Sequence, residues 1–564
     1  MRNTLLTSLI VFAVAFMHSQ NPNFVWASQV SGNGCSNIGV SIKTDALGNV
    51  YSTGTFDTIT DFDPGPGTYT LASSGYTDIY ISKLDASGNF VWAGQMGGTF
   101  VEYTSGIFID NLSNVYTTGY FYSSVGDFDP GSGTYTLGMT GFGNGFISKA
   151  NSAGNFVWAK GFSGGRVFSH SIFVDAFGSV ITCGTFKDTV DFDPGPATFT
   201  LASVGSSFNG FISKLDASGN FIWVEQIKGT TSSSMKSIVT DGIGNFYCTG
   251  IFEGTCDFDP GAGTYNMTVG TFKDQFILKL DASGNFLWAK QIGGGLGIVD
   301  PSSIGIDASN NIFTAGSFNT TADFDPGAPV YNLVAGPSFD EYVLKLDGSG
   351  NFAWAKQIRG IGRAMDIDMS GDIYTTGTFD DTTDFDPGIG TYTLCPNGNI
   401  KTDIFISKLD NSGNFLWAKQ LGDTSWDEGY GIDVDLNLNV YTTGYFRLTP
   451  DFDPGPGTYT LTGLGGKDAF VHKMCQVSCA TGIEESVKEN SFVIYPNPAS
   501  NNLFISMEED FNNSEIEIIN YLGQSVFKDK FRGNLDISNL TDGIYTLQVI
   551  SKNSIAHKQF VIVK

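Results

Sequence analysis

Short apolar, β-prone runs alternate with glycine-, asparagine- and aspartate-rich breaks along this chain, and no stretch holds a helical period. One unit shows the pattern. Asn89-Phe90-Val91-Trp92-Ala93 is apolar and leads into the loop Gly97-Gly98. Ile107-Phe108-Ile109-Asp110 and Val115-Tyr116-Thr117-Thr118-Gly119-Tyr120-Phe121 read as two strands joined by the turn Asn111-Leu112-Ser113-Asn114. Asp127-Phe128-Asp129-Pro130-Gly131 and a short β-prone piece, Thr134-Tyr135-Thr136-Leu137, come next. Gly145-Phe146-Ile147-Ser148-Lys149 is the last strand, and Ser152-Ala153-Gly154 turns the chain back. Four main strands joined by tight turns predict a propeller blade.

The unit recurs. Asn-Phe-x-Trp occurs seven times, with tryptophans at 26, 92, 158, 223, 288, 354 and 417, a spacing of 63 to 66 residues. Asp-Phe-Asp-Pro-Gly also occurs seven times. A fixed period of this length marks one supersecondary unit repeated. Each copy carries Gly-x-Phe in a strand (Gly54, Gly119, Gly184, Gly250, Gly316, Gly377, Gly444). Glycine weakens a strand, so seven copies predict close backbone approach, as near a crowded propeller axis. Asp-x-Ser-Gly-Asn, starting at Asp85, Asp216, Asp281, Asp347 and Asp410, is a tight hairpin signal. The array opens in mid-unit at Asn23-Phe24-Val25-Trp26 and stops in mid-unit at Phe470-Val471-His472-Lys473. Pairing the two ends in one sheet closes the ring and removes free strand edges.

Segments such as Phe211-Ile212-Ser213-Lys214-Leu215-Asp216-Ala217-Ser218-Gly219-Asn220-Phe221-Ile222-Trp223 resemble the bacterial β-propeller repeat of seven-bladed propellers, over roughly residues 23–475. The end of the chain resembles another family. Its motifs are Tyr495-Pro496-Asn497-Pro498-Ala499, then Ile519-Asn520-Tyr521-Leu522-Gly523-Gln524, then Gly543-Ile544-Tyr545-Thr546-Leu547, with Lys564 last. They are similar, in order, to the type A C-terminal sorting domain of the type IX secretion system of Bacteroidota. That resemblance implies a small β-sandwich recognised by the secretion machinery at the outer membrane. The expected fold class is therefore all-β, a seven-bladed propeller followed by a small C-terminal β-sandwich. The expected domains are a signal peptide at 1–20, the propeller at 21–475, a polar linker at 476–490 and the sorting domain at 491–564.

Charge and cysteine content refine this picture. The formal net charge is −27, and residues 491–564 account for only −2 of it, so the repeats carry the acid. Such a surface repels nucleic acid and anionic lipid. Arg2 followed by the apolar run Leu5 to Met17 reads as a secretory signal, and no later run has the ~18 apolar residues of a membrane span. An extracellular or outer-membrane-surface location follows, with a monomeric propeller. The seven cysteines do not repeat with the unit; the preferred reading is mostly buried or adventitious thiols, although Cys475 and Cys479 are near enough in sequence to pair.

Candidate chemistry centres on the repeated aspartates: Asp61 and Asp63, Asp127 and Asp129, Asp191 and Asp193, Asp257 and Asp259, Asp323 and Asp325, Asp384 and Asp386, Asp451 and Asp453. In extended chain both carboxylates share a face, a pair suited to Ca²⁺. The preferred alternative is structural: each aspartate caps its own turn and meets the lysine repeated one strand later (Lys83, Lys149, Lys214, Lys279, Lys345, Lys408, Lys473). The repeated tryptophans read as core. Trp426 breaks the period in a polar loop and is the better candidate for a ligand contact, with loop packing the preferred alternative. Of the propeller histidines, His170 and His472, neither sits in a recognisable catalytic constellation. Uniqueness should reside in irregular segments: Phe100-Val101-Glu102-Tyr103, Gly165-Arg166, Arg359 to Arg363, and Asp423 to Tyr430. The expected function is a non-catalytic surface interaction module for a glycan or protein ligand, with no cofactor unless Ca²⁺. The rivals are an extracellular carbohydrate-active enzyme and a calcium-stabilised structural protein.

Overall fold

A computed structural model describes residues 21–32, 34, 36–138, 140–229, 231–269, 272–398 and 401–476, and in the C-terminal region 492–495, 499, 501–507, 515–520, 525–530, 534–540, 543–550 and 555–562. The expected signal peptide lies outside the described residues. Every regular element among them is a β-strand. The chain divides into two compact units, Met1–Cys479 and Ala480–Lys564.

In the larger unit seven antiparallel sheets each hold four long strands; five are four-stranded, and short strands extend the other two to six and seven. The first runs, from inside outward, Ile38–Thr44, Val50–Phe56, Asp78–Leu84 and Phe90–Gly98. The innermost strands, Ile38–Thr44, Glu102–Ile109, Ser163–Val174, Ser233–Thr240, Val299–Ile306, Ile361–Ile367 and Glu428–Val434, each contact the next, and the last contacts the first. The closing sheet joins the two ends of the array. Asn23–Val30 pairs antiparallel with Asp468–Cys475, Asn23 opposite Cys475 and Val30 opposite Ala469, as the mid-unit start and finish predicted.

Two devices lock neighbouring sheets together. At one end of the sheets lie the short hairpins. In Asp85-Ala-Ser-Gly-Asn, Asp85 Oδ1 accepts the N–H groups of Ser87 and Asn89, and Gly88 takes φ +86°. The Trp26 ring of the preceding sheet lies against Gly88 so closely that a Cβ there would stand 2.9 Å from it, and the indole N–H donates to the Ala86 carbonyl at 3.3 Å. Trp92 repeats this on Gly154 and Ser152. At the seventh position Gln476 replaces the hairpin. It accepts from Trp417 Nε1 at 3.2 Å and donates to Tyr374 Oη at 2.8 Å, so Trp417 is fully buried. Gln476, the first residue of the expected linker, thus packs within the propeller.

The second device is Asp-Phe-Asp-Pro-Gly at the other end. Its phenylalanines, Phe62, Phe128, Phe192, Phe258, Phe324, Phe385 and Phe452, are all completely buried. Its first aspartate bridges by backbone to the outer strand of the preceding sheet: Asp61 to Ser31, Asp127 to Gly97, Asp257 to Lys228, Asp323 to Gly293, Asp451 to Gly422.

The C-terminal unit has two antiparallel sheets, one of Phe492–Tyr495, Asn502–Met507 and Asn534–Asp536, the other of Ser525–Lys530, Glu515–Asn520, Gly543–Ile550 and Ile555–Ile562. Leu503, Ile505 and Leu535 from the first share a buried cluster with Ile516, Ile518, Leu547 and Val549 from the second.

Candidate binding site at the axial channel

The repeated aspartates form a turn-capping network. Asp61 Oδ1 accepts the N–H groups of Asp63 and Tyr69, at 3.1 and 2.8 Å, and Asp63 Oδ1 accepts that of Gly65 at 2.8 Å. The same three bonds recur from Asp127 and Asp129, Asp191 and Asp193, Asp257 and Asp259, Asp323 and Asp325, Asp384 and Asp386, and Asp451 and Asp453.

The expected lysine partner is elsewhere. Lys83 lies at the far end of Asp78–Leu84, roughly 16 Å from that strand's start at ~3.3 Å per residue. It stands 4.8 Å over the Tyr51 ring and donates to the Ser152 carbonyl. Lys149, Lys279, Lys408 and Lys473 cover Tyr116, Tyr247, Tyr374 and Tyr441 in the same way, and Lys214 and Lys345 cover Phe246 and Phe313. The acids these lysines meet belong to the turns after the inner strands: Lys214 meets Asp175 at 3.1 Å and Lys408 meets Asp368 at 3.5 Å. The lysines therefore stabilise the hairpin end and leave the Asp-Phe-Asp-Pro-Gly turns to cap themselves.

The repeated strand glycines lead to the site. Each stands where a Cβ would overlap a carbonyl oxygen of the inner strand: Gly54 that of Ile38, Gly119 of Tyr103, Gly184 of Phe168, Gly250 of Ser234, Gly316 of Asp300, Gly377 of Ile361 and Gly444 of Glu428. The cause is a β-bulge in every inner strand, at one register. The extra residues, between the shifted pairs, are Val40, Ser105, His170, Lys236, Ser302, Arg363 and Tyr430. A bulge re-aims its side chain, and these side chains line the axial channel. The close approach expected from the glycines is thus to a bulged neighbour strand.

Six of the seven bulge residues, all but Val40, open onto one cavity of about 480 Å³ at the channel mouth, together with Asp300, Ser317 and Phe339. Lys236 Nζ is 3.7 Å from Asp300, and Arg363 Nη2 is 3.6 Å from Glu428. The Arg363 guanidinium lies 5.5 Å over the Tyr430 ring. Glu428 already accepts hydroxyl bonds from Tyr430 at 2.7 Å and Tyr445 at 2.8 Å. His170 Nδ1 is 2.6 Å from the Met235 carbonyl. A carbonyl only accepts, so Nδ1 carries the proton and Nε2 is an acceptor. Burial pushes His170 down to about 4, so the ring is neutral at physiological pH.

Deeper in the channel, Lys43 sits 2.5 Å from Asp433 and 3.9 Å from Asp366. Burial opposes the charge on Lys43, but the two carboxylates outweigh it and raise its pKa. Burial also pushes Asp366 up, against the pull of Lys43. The Phe108 and Phe173 rings pack 5.0 Å apart on the same stretch of wall.

Of the irregular segments, only Arg359–Arg363 and Asp423–Tyr430 reach the mouth, through Ile361, Gly362, Arg363 and Tyr430. Trp426 is 40% exposed under Lys401, whose Nζ lies 4.7 Å over its ring, and takes no part in the cavity. Arg166 instead covers Phe142. His472 is buried against the Phe452 carbonyl. Lys236, Asp300, Lys43, Asp366 and Asp433 escaped sequence reasoning. Aligning the units on Gly-x-Phe would have exposed the bulge residue as a position that changes from unit to unit. Among the described cysteines Cys183, Cys248, Cys256 and Cys395 are free, and Cys475 is disulfide-bonded. In the C-terminal motif Gly543 opens a strand, and Tyr545 is buried against Phe560. Tyr495 ends a strand, while Pro496, Asn497, Pro498, Gly523 and Lys564 lie outside the described residues.

Comparison with known proteins bears on both units. Residues 493–564 match the secretion system C-terminal sorting domain, and residues 287–325 and 416–445 match a β-propeller repeat. An uncharacterized WD repeat-containing protein of Acanthamoeba polyphaga mimivirus is 24% identical over 512 residues, covering 77% of this chain. The chain spans 37% of that relative's length. Among solved structures, a protein of unknown function from Dyadobacter fermentans aligns over 80% of this chain and 99% of its own, at 8% identity and a TM-score of 0.36. One from Bacteroides caccae aligns over 62% and 92%, at 10% identity and a TM-score of 0.31.

Proposed function

We propose that this all-β protein of propeller repeats, directed to the cell surface or the extracellular space by its type IX sorting domain with the secretion machinery as a partner, is a non-catalytic recognition module whose ligand enters the mouth of the axial channel. One observation carries this reading: a backbone bulge repeated in all seven inner strands presents side chains of six different kinds, and six of the seven residues open onto a single cavity. A scaffold held constant while its projecting residues vary is the arrangement expected of a binding surface. The non-catalytic part draws support from how the mouth's acid–base groups are engaged. His170 is neutral with one nitrogen committed to backbone, and Glu428 is held by two tyrosine hydroxyls. No cofactor is assigned. The repeated aspartates are read as turn caps, because both Oδ1 atoms of each pair already hold backbone N–H groups.

A glycan and cell-surface protein binding screen of the secreted protein tests this reading, with Tyr430→Ala as the probe of the mouth. Specific binding lost in Tyr430→Ala supports it. Binding unaffected by that change, or turnover of any retained glycan, overturns it.

A further inference from the structure

We propose that the channel mouth recognises a single sugar acid, a hexuronate at the end of a glycan, with Lys236 and Arg363 holding the carboxylate and His170 accepting from a ring hydroxyl. This rests on the mouth being the binding site and names the chemistry it selects.

Charge comes first. The two cationic bulge residues, Lys236 and Arg363, face one cavity from different inner strands. Neither is saturated by its acidic neighbour. Lys236 meets Asp300 at 3.7 Å and Arg363 meets Glu428 at 3.6 Å, both longer than a charge-assisted hydrogen bond. Glu428 has other partners, since the Tyr430 and Tyr445 hydroxyls donate to its two oxygens at 2.7 and 2.8 Å. Its charge stays stabilised when Arg363 turns to a ligand. The planar guanidinium suits a carboxylate, which it can hold through two parallel bonds.

The rest of the lining suits a polyol. His170 offers Nε2 as a neutral acceptor because Nδ1–H is spent on the Met235 carbonyl. Ser105 adds a hydroxyl that both donates and accepts, while the Ser302 and Ser317 hydroxyls donate to the Ala315 and Gly362 carbonyls and offer oxygens that accept. Phe339 and Tyr430 supply apolar surface for the C–H face of a sugar ring.

Size and field restrict the ligand to one acidic residue. A cavity of about 480 Å³ is at the small end of ligand pockets. The chain's net charge is −27, so a polyuronate laid across the surface is repelled outside the mouth. A lone terminal carboxylate pays that repulsion only once.

The experiment uses the full secreted protein and titration calorimetry. The probes are the methyl glycosides of glucuronate, galacturonate, mannuronate and guluronate, the matching neutral hexosides, and lactate as a non-sugar carboxylate. At least one uronoside should bind, with its neutral hexoside at least tenfold weaker and lactate weaker still. Arg363→Met and Lys236→Met should each weaken the uronoside at least tenfold at an unchanged melting temperature, while Trp426→Ala should not. Failure of every uronoside to bind, equal binding of the neutral hexoside or of lactate, or indifference to both cation changes would overturn the proposal. A neutral glycan bound and then lost in Tyr430→Ala would overturn the sugar-acid assignment alone and leave the mouth as the binding site.

Discussion

The two ends of the propeller are built by opposite rules. At the hairpin end nearly every contact is repeated around the ring: lysine over an aromatic ring, aspartate capping a five-residue turn, tryptophan against the next hairpin's glycine. At the mouth end the Asp-Phe-Asp-Pro-Gly turns and the backbone of the inner strands still repeat, down to a bulge at one register, but the side chains on the bulges do not. Valine, serine, histidine, lysine, arginine and tyrosine occupy equivalent places. Identical contacts between sheets hold the ring closed, and they do so best where nothing else is asked of the residues. The bulge positions are free to vary because their side chains point into the open channel, where a change costs little stability.

Breaking the ring itself should have the largest effect. Deleting residues 21–30 removes the strand that pairs with Asp468–Cys475 and leaves that sheet with a bare edge. Aggregation or loss of a cooperative melt is expected, read by light scattering and circular dichroism. A truncated protein that melts like the parent would refute the role of closure.

Next is a change at the glycine that permits the bulge. Gly377→Val forces a side chain onto the Ile361 carbonyl. It should cost about 3 kcal/mol or more, in the range of overpacked cores. Arg363→Ala, on the bulge beside it, should cost less than about 0.5 kcal/mol, because Arg363 is partly exposed. Denaturant melts of the two variants test the comparison directly, and equal losses would dissolve it.

A third prediction concerns pH. Burial pushes Glu341 up to about 8 and Asp427 up to about 7, both above ordinary carboxylate values. A raised folded-state pKa means the stabilisation is full below the unfolded value, near 4 to 4.5, and is lost as pH rises through the folded value. The melting temperature should therefore fall between about pH 5 and pH 8. Glu341→Gln should flatten that slope, and a slope unchanged in that variant would place its origin elsewhere.

The smallest effect is expected at the turn caps. Asp193→Asn keeps an acceptor oxygen for the Gly195 N–H, so the loss should be about 0.5–1 kcal/mol. If self-capping is the whole role, the melt should not respond to calcium chelator. A chelator-sensitive melting temperature, diminished by Asp→Asn changes in successive repeats, would reinstate the metal.

The repeat, the pairing of the array's two ends, the hairpins and the export tail were legible because each rests on local pattern: period, turn chemistry and motif order. Asp-Phe-Asp-Pro-Gly was legible as a turn for the same reason, since its bonds span two to eight residues. Its lysine partner was misread because a strand's length separates residues that a repeat unit shows side by side. The mouth was not legible. His170, Lys236, Arg363 and Tyr430 stand one or two repeats apart along the chain, with nothing local to relate them, and the bulge that aims each one is a property of two strands pairing. Sequence alone thus determined which segments become strands, how many times the unit recurs and how its ends meet. Tertiary structure alone decided which residues face the axis together, because only closure of the ring converts one position per repeat into a single cavity.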